Sequence, residues 1–79
     1  SYVTSLAIAS KDRSGLVMDI ATVLNAARVR VTELSARELA AGKARAIATF
    51  EVKNVAELET IRTKIRAING VIDVRRGQN

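Results

Sequence analysis

The segment SKDRSGL, Ser10–Leu16, joins two stretches of different hydrophobic period and thereby decides the fold. Before it, Val3–Ala9 alternates apolar and small side chains around Leu6 and Ile8, which is typical of a β-strand. After it, apolar side chains recur at helical spacing, at Leu16, Ile20, Val23, Leu24 and Ala27. A strand that turns directly into an amphipathic helix predicts a turn that exposes the first N–H groups of that helix.

This turn is the strongest candidate for a binding site in the chain. The N–H groups in the first turn of a helix lack intrahelical partners and lie at the positive end of the helix dipole, so they attract a carboxylate or phosphate. A purely structural alternative stays open. In it, Asp12 or Ser14 caps the helix, and Gly15 allows the turn to pack closely against the strand.

Length and composition exclude most catalytic chemistry. A chain of 79 residues makes one small domain, which gains much stability from a partner. The chain contains neither Cys nor His, which excludes disulfides, thiolate metal sites, Cys nucleophiles and the commonest general base. Its eight carboxylates show no paired spacing. We therefore expect a protein that is not an enzyme and that uses no cofactor and no metal.

The sequence also indicates where in the cell the protein is located and where its domain begins and ends. No apolar stretch approaches the roughly 20 residues that span a bilayer, and no signal-peptide pattern opens the chain. We therefore expect a cytoplasmic protein without a membrane partner. The chain passes from Ser1 and Tyr2 almost directly into the first strand. This start predicts that residues 1–79 form a single domain excised from a longer protein.

A second strand and a hairpin are predicted after the first helix, which should end near Arg28. Apolar residues start this strand at Val29 and Val31 and continue with opposite parity from Leu34, which predicts a bulge near residues 32–33. The segment AAGK, Ala40–Lys43, supplies a Gly-containing hairpin turn. Strict alternation over residues 44–52 makes the clearest strand of the chain.

The second helix and the last strand complete the pattern. Asn54 is a good N-cap, and Glu57 stands where a capping box requires it. The apolar stripe of this helix is Val55, Leu58, Ile61, Ile65 and Ile68. We expect Asn69 and Gly70 to end the helix, its charged residues such as Arg62 to face solvent, and residues 71–74 to form a strand before a polar tail at 75–79.

The resulting order βαββαβ predicts an α+β, ferredoxin-like sandwich. Two helices with one apolar stripe each must cover one face of a four-stranded antiparallel sheet. Right-handed crossovers place the first and third strands in the middle. The bare edge of the second strand then invites pairing with a second copy. We expect a homodimer formed through this strand, the first helix, or both, with an interface that contains Arg28, Val29, Val31 and Leu34.

Three features together resemble an ACT domain: the βαββαβ order, the segment DRSGLVMDIATVLN (Asp12–Asn25) and the closing GVIDVRR (Gly70–Arg76). The resemblance covers Val3–Arg76 and is greatest to the C-terminal ACT domain of RelA/SpoT-family (p)ppGpp synthetase/hydrolases, which are GTP pyrophosphokinases. It implies a regulatory module without catalytic activity. Such a module pairs with a second copy and communicates with the catalytic domains of its parent chain.

The resemblance also implies a site for a small amino acid, between the first strand-to-helix turn and the start of the second strand of a neighbouring copy. The corresponding residues are Lys11, Asp12, Arg13, Ser14, Gly15, Leu16, Arg30 and Val31. Ligand-binding members commonly have Gly, Val, Asn and Ile where this chain has RVRV, Arg28–Val31. The two arginines are compatible with an acidic ligand and argue against a branched-chain or serine-like one.

The net charge of +5 supports a second hypothesis, an electrostatic docking module, because such a charge on a small domain attracts polyanions. The residues predicted to contact a polyanion are Arg28, Arg30, Arg45, Arg75 and Arg76. One Tyr and one Phe are the only aromatic residues, so stacking of bases on the sheet is not expected. The partner would be ribosomal RNA, as the RelA/SpoT resemblance implies, or an acidic protein surface.

Overall fold

A computed structural model of the chain describes residues 1–77. Its elements are β1 (Tyr2–Lys11), α1 (Leu16–Ala26), β2 (Arg30–Glu38), β3 (Lys43–Val52), α2 (Val55–Arg66) and β4 (Val71–Arg76), with a short 3₁₀ turn at Ala40–Gly42. The strands form one antiparallel sheet in the order β2-β3-β1-β4. The predicted ferredoxin-like fold, with the first and third strands in the middle, is confirmed.

One face of the sheet and the two helices enclose a single apolar core. Phe50 is the largest fully buried side chain, and three alanines of β3 leave room for the helices above the sheet. The buried apolar residues are Leu6, Ile8, Leu16, Ile20, Leu24, Ala44, Ala46, Ala48, Phe50, Val52, Leu58, Ile61, Ile65 and Val74. Because both helices lie on this side, the opposite face of the sheet has no covering layer.

The parity change in β2 is resolved as the sequence predicts. The register of β2 against β3 shifts between Val31 and Glu33, so Val31 lies opposite Phe50 and Leu34 lies opposite Ala48. An extra residue at this point turns both apolar side chains toward the helices. The predicted bulge is confirmed, and it keeps the edge strand β2 amphipathic along its whole length.

The second helix begins as predicted and ends earlier. Asn54 Oδ1 accepts a hydrogen bond from Glu57 N at 2.8 Å, and Glu57 Oε1 accepts one from Lys53 N at 2.7 Å. The expected end at residues 69–70 is wrong, because α2 ends at Arg66. The N–H of Ile68 bonds to the carbonyl of Ile65 at 3.0 Å, a tighter turn that closes the helix.

Two expectations about charged residues are also wrong. Arg62 does not simply face solvent, because its Nε donates to the main-chain carbonyl of Val74 in β4 at 2.9 Å and its side chain is 30% exposed. Arg75 and Arg76 are not part of a polar tail, because they extend β4 and continue its pairing with β1. Residues 78–79 of the predicted tail lie outside the described residues.

The connection from α1 to β2 passes through a left-handed residue. Arg28 has φ 58°, directly after the C-cap residue Ala27. This is the position where helices most often place Gly, because a Cβ there crowds the following carbonyl. The chain therefore retains an arginine where its backbone conformation favours glycine.

We expect Arg28→Gly to raise the free energy of unfolding by about 0.5–1 kcal/mol, measured by urea denaturation. Relief of the left-handed strain contributes about 1–2 kcal/mol, and the greater entropy of an unfolded glycine offsets about 0.5–1 kcal/mol of it. Arg28→Ala is the matched control, because alanine removes the charge and keeps the Cβ. An equal gain from Arg28→Ala would show that charge, and not backbone strain, is responsible.

Candidate functional site

Three turns meet at one end of the sheet and hold the β1–α1 turn in place. The N–H of Lys11 donates to the carbonyl of Gly70, and the N–H of Asp12 donates to the carbonyl of Gly42, each at 2.9 Å. We call this region, residues 12–15, 39–42 and 67–70, the turn end of the sheet. The β1–α1 turn is therefore fixed by main-chain contacts to both neighbouring turns.

The side chain of Arg13 adds hydrogen bonds and an ion pair to these main-chain contacts. Its Nε donates to the carbonyl of Asn69 at 2.6 Å, and one terminal nitrogen donates to the carbonyl of Ser14 at 2.8 Å. The other terminal nitrogen pairs with the carboxylate of Asp19 in α1. A Cβ at Gly70 would lie 3.4 Å from Arg13 Nε, and the φ of 94° there also favours glycine. The guanidinium that the sequence assigns to a ligand is thus engaged by three groups of the chain itself.

The first turn of α1 carries no side-chain cap among residues 1–77. Gly15 is its N-cap residue, with φ 83°, and neither Asp12 nor Ser14 bonds to the helix start. The alternative that one of them caps the helix is wrong. Gly15 is needed for its left-handed backbone, because a Cβ there would have only an ordinary contact with Arg13. The unpartnered N–H groups at this helix start are available to an anion.

A cavity of about 240 Å³ lies beside this helix start. Its apolar lining includes Leu16, Val17 and Ala36, and the carboxylate residues Asp12 and Glu38 border it. Such a cavity offers N–H groups for an anion, carboxylates for a cation and a small apolar surface between them. A free amino acid presents those three chemical features together.

The sequence does not predict the residues of β2 and β3 that complete this cavity. Residues 36–38 at the end of β2, together with Ala44 of β3, line it beside the turn. No local motif marks these residues, because they reach the turn only through the pairing of β2 with β3. The sequence could not place them at the turn without the register between β2 and β3.

The predicted second half of the ligand site lies elsewhere in a single copy. Arg30 pairs with Glu51, which pairs with Val3 at the start of β1, whereas the turn follows Lys11 at its end. Val3 and Lys11 are separated by roughly 26 Å at about 3.3 Å per residue. One copy therefore cannot bring Arg30 and Val31 to its own turn, and their role with a neighbouring copy stays a prediction.

The predicted interface residues of β2 mostly share one apolar groove. Val29, Val31 and Leu34 line it together with Met18 of α1, in a volume of about 510 Å³ between α1 and the sheet edge. Met18 is 69% exposed and Val31 is 40% exposed. Arg28 borders a neighbouring depression instead. The groove follows the edge of β2, where a second copy was expected, and the interface itself stays a prediction.

The five arginines predicted to contact a polyanion do not form one patch. Arg30 lies at the far end of the sheet, and Arg45 lies near the turn end on the uncovered face. Arg76 has the opposite parity to Arg75 in β4, and Arg28 belongs to the α1–β2 connection. Their use as a single RNA contact stays a prediction that the described arrangement does not favour.

Arg75 is already engaged within the chain. Its Nε donates to the carboxylate of Asp73 at 2.6 Å. This hydrogen bond, together with the positive charge of Arg75, holds the pKa of Asp73 below its ordinary value. Asp73 is therefore ionised at neutral pH, and it partly neutralises one of the five arginines.

Within the described residues, membrane and metal sites find no support. No helix there is long and apolar enough to cross a membrane. The same part of the chain holds no group of three or more His, Cys, Asp or Glu side chains that could hold a metal ion. The β1–α1 turn is the site that the geometry favours, because an uncapped helix start lies there beside a cavity.

Comparison with known proteins agrees with this architecture. The family model described as ACT domain matches residues 1–76. The crystal structure of the ACT domain from Chlorobium tepidum GTP pyrophosphokinase is similar, with a TM-score of 0.82 at 22% identity over 96% of this chain and 97% of that chain. A search of curated proteins gave no match.

Two further solved structures share the fold. The small subunit of acetolactate synthase from Thermotoga maritima has a TM-score of 0.81 at 12% identity, over 96% of this chain and 47% of that chain. A formyltetrahydrofolate deformylase from Burkholderia mallei has a TM-score of 0.68 at 16% identity, over 85% of this chain and 24% of that chain. At such low identities these likenesses show the fold alone.

We expect Arg13→Ala to lower the free energy of unfolding by about 1–2 kcal/mol in chemical denaturation. The change removes charge-assisted hydrogen bonds to Asn69 and Ser14, and partial exposure keeps the loss at the lower end of the usual range. Arg13→Lys should recover only part of it, because an ammonium cannot reach three acceptors as a planar guanidinium does. Arg66→Ala, on an exposed site of α2, should change stability by less than about 0.5 kcal/mol.

Proposed function

The chain belongs to the ACT domain family of regulatory ligand-binding modules, and we propose that it regulates the catalytic domains of a RelA/SpoT-type GTP pyrophosphokinase or (p)ppGpp hydrolase. The choice of this parent is supported by the segments DRSGLVMDIATVLN and GVIDVRR. It is also supported by the occurrence of the same fold in the Chlorobium tepidum GTP pyrophosphokinase. The observation that carries the regulatory role is the uncapped helix start beside the cavity at the β1–α1 turn.

The proposed ligand is a small amino acid held at this turn. Its carboxylate accepts hydrogen bonds from the free N–H groups of the first turn of α1, where the dipole favours an anion. Its ammonium lies near the carboxylate of Asp12 or Glu38, both of which border the cavity. A short side chain then contacts the apolar surface of Val17 and Ala36. Of the turn residues that the family resemblance implied, this placement uses Asp12, Gly15 and Leu16, together with the end of β2. Lys11 and Ser14 do not line the cavity.

Contacts around the turn provide a route from ligand to fold. The turn is bonded to Gly42 through Asp12 and to Gly70 through Lys11, and Arg13 links it to Asn69. An amino acid bound at the turn therefore also stabilises the hairpin and the entry to β4. Binding to the folded state alone raises the melting temperature by mass action. Ligand occupancy would reach the catalytic domains through these contacts and through a second copy.

The proposed homodimer forms along β2, because the two edges of the sheet are not equivalent. β2 is a nine-residue strand that leaves Val31 exposed beside an apolar groove. β4 has six residues, and the side chain of Arg62 already donates to the carbonyl of Val74 there. A longer and less protected edge is the better site for pairing with an identical strand. A neighbouring copy could then supply Arg30 and Val31 to the turn.

We expect Gly15→Asp to abolish the thermal stabilisation that a binding amino acid gives to the wild-type domain. The carboxylate places a negative charge where the ligand carboxylate should lie. The measurement is the melting temperature of the domain with each of the common amino acids at moderate salt. Gly15→Ala is the matched control, since it strains the same backbone at φ 83° without adding a charge and its Cβ would lie 3.5 Å from Arg13 Nη1. It should share the backbone strain and keep the ligand response.

Two results would contradict the ligand site. One is an unchanged response in Gly15→Asp, and the other is the absence of any amino acid that raises the wild-type melting temperature. In the parent chain, the same substitution should remove the effect of the amino acid on synthetase or hydrolase rate. If the domain binds an amino acid and the parent rates do not respond, the ligand site stands and the proposed regulation fails.

We expect Val31→Asp to weaken dimerisation by about tenfold or more, measured by light scattering over a concentration series. A carboxylate in the apolar groove loses favourable burial and meets its own copy across a two-fold axis. The monomer should stay folded, because Val31 is 40% exposed. Ile72→Asp, at a 54% exposed residue of the other edge strand, should leave the dimer intact. A wild-type domain that stays monomeric at high concentration defeats this prediction.

A further inference from the structure

The face of the sheet opposite the helices carries an organised set of side chains. Small and apolar residues occupy its centre, where Ala7 and Ile47 are half-buried although no element covers them. Ser5 and Thr49 share a hydrogen bond of 2.7 Å across β1 and β3. These residues line a shallow trough of about 430 Å³ that Arg45 borders toward the turn end. The uncovered face is therefore concave and only partly polar.

Four cations lie together next to this trough, toward the turn end of the same face. Strand alternation places them on the face opposite to the buried residues of β1 and β3 and to the half-buried Leu34 of β2. We call them the basic quartet: Lys11, Arg37, Lys43 and Arg45. Lys11 lies directly opposite Lys43, and Arg37 lies directly opposite Arg45. Paired Cα atoms in such ladders are about 4.5–5.5 Å apart. Like charges at this distance destabilise a sheet.

No carboxylate of the described chain neutralises the quartet. The ion pairs within residues 1–77 join Arg13 to Asp19, Arg62 to Glu59, and Arg75 to Asp73, and none includes a quartet residue. Asp73, which lies across Ala9 from Arg45 in the register, is held by Arg75. Two like-charged pairs without an internal counter-charge have a cost to folding and no compensation within the domain.

We propose that the basic quartet and the trough beside it dock an acidic segment of a partner protein. The partner presents carboxylates to the four cations and small or apolar side chains to Ala7 and Ile47. Charge complementarity of this kind determines register and accelerates association. Three members of the quartet, Lys11, Lys43 and Arg45, do not line the cavity at the β1–α1 turn, whereas Arg37 also borders it. The inference is therefore tested at Lys43 and Arg45, and it does not depend on the proposed ligand or homodimer.

The composition of this face favours a polypeptide over a nucleic acid. Two carboxylates lie on the same face near the cations. Glu33 is opposite Thr49, four residues along β3 from Arg45, and Asp73 lies across Ala9 from Arg45. A continuous phosphate backbone would be forced against these carboxylates, whereas a polypeptide can place its acidic residues only where the cations are. Both aromatic side chains contact the core instead of this face, so no platform exists for stacked bases. The apolar centre also requires a partner that can cover it.

The test uses a fluorescent helical peptide with glutamates along one side of a leucine stripe, titrated with the domain at about 0.1 M salt. We expect Lys43→Glu combined with Arg45→Glu to weaken binding by about tenfold or more. The matched control is Lys53→Glu combined with Lys64→Glu, which changes the net charge equally at exposed residues away from the face. It should bind within about twofold of the wild type, and a glutamine version of the peptide should bind far more weakly.

The melting temperature of the double variant shows whether weaker peptide binding results from lost docking or from lost folding. Because the substitutions replace repulsive cross-strand pairs with attractive ones, the double variant should melt at or above the wild-type temperature. If the double variant melts lower, the single variant Arg45→Gln replaces it in the test. This change removes the repulsion between Arg37 and Arg45 without introducing a negative charge, and it must still weaken peptide binding. The proposal fails if the peptide does not bind, if the control variant weakens binding equally, or if duplex RNA of equal total charge binds more tightly than the peptide.

Discussion

The rest of the structure depends on one constraint: two amphipathic helices can cover only one face of a four-stranded sheet. Leu6, Ile8 and the alternate residues of β3 lie beneath α1 and α2, and this burial supplies the core. No element among residues 1–77 forms a second layer, so several surfaces of the described domain stay without a partner. They are the edges of β2 and β4, the groove between α1 and β2, and the uncovered face. Every functional proposal for this chain concerns one of these surfaces or the turn between them.

The two helices begin in different ways, because side chains cap the start of α2 and none caps the start of α1 among residues 1–77. α2 starts with Asn54 and Glu57, whose side chains satisfy main-chain N–H groups locally. α1 starts at Gly15 without a side-chain cap, and the nearby Arg13 binds Asn69 and the first-turn residue Asp19 as a donor, so it satisfies none of the N–H groups of α1. Stability at the β1–α1 turn thus comes from the surrounding turns, which leaves the N–H groups of α1 free. A site for an anion is compatible with a rigid turn for this reason.

Charge is distributed over this small domain in two distinct ways. Around the turn end, Arg13 neutralises Asp19 and joins elements, so it contributes to the fold. On the uncovered face, Lys11 meets Lys43 and Arg37 meets Arg45, which opposes the fold. In the sequence, the charged residues that stabilise the fold and those that oppose it both appear only as contributions to a positive net charge. The cross-strand register distinguishes an arginine that links elements of the domain from one that lies opposite a like charge.

Sequence alone determined the elements, their order and the fold, because these follow from local periodicity. Alternation predicted β3, helical spacing predicted α1 and α2, and the parity change in β2 predicted the bulge that the register confirms. Local patterns failed where distant segments meet. They could not place Ala36 and Glu38 beside the β1–α1 turn, engage Arg13 with Asn69, or bring Arg62 to the carbonyl of β4. Tertiary structure decided those contacts, because they depend on strand register and on which turns share an end of the sheet, and neither quantity is encoded within a single segment.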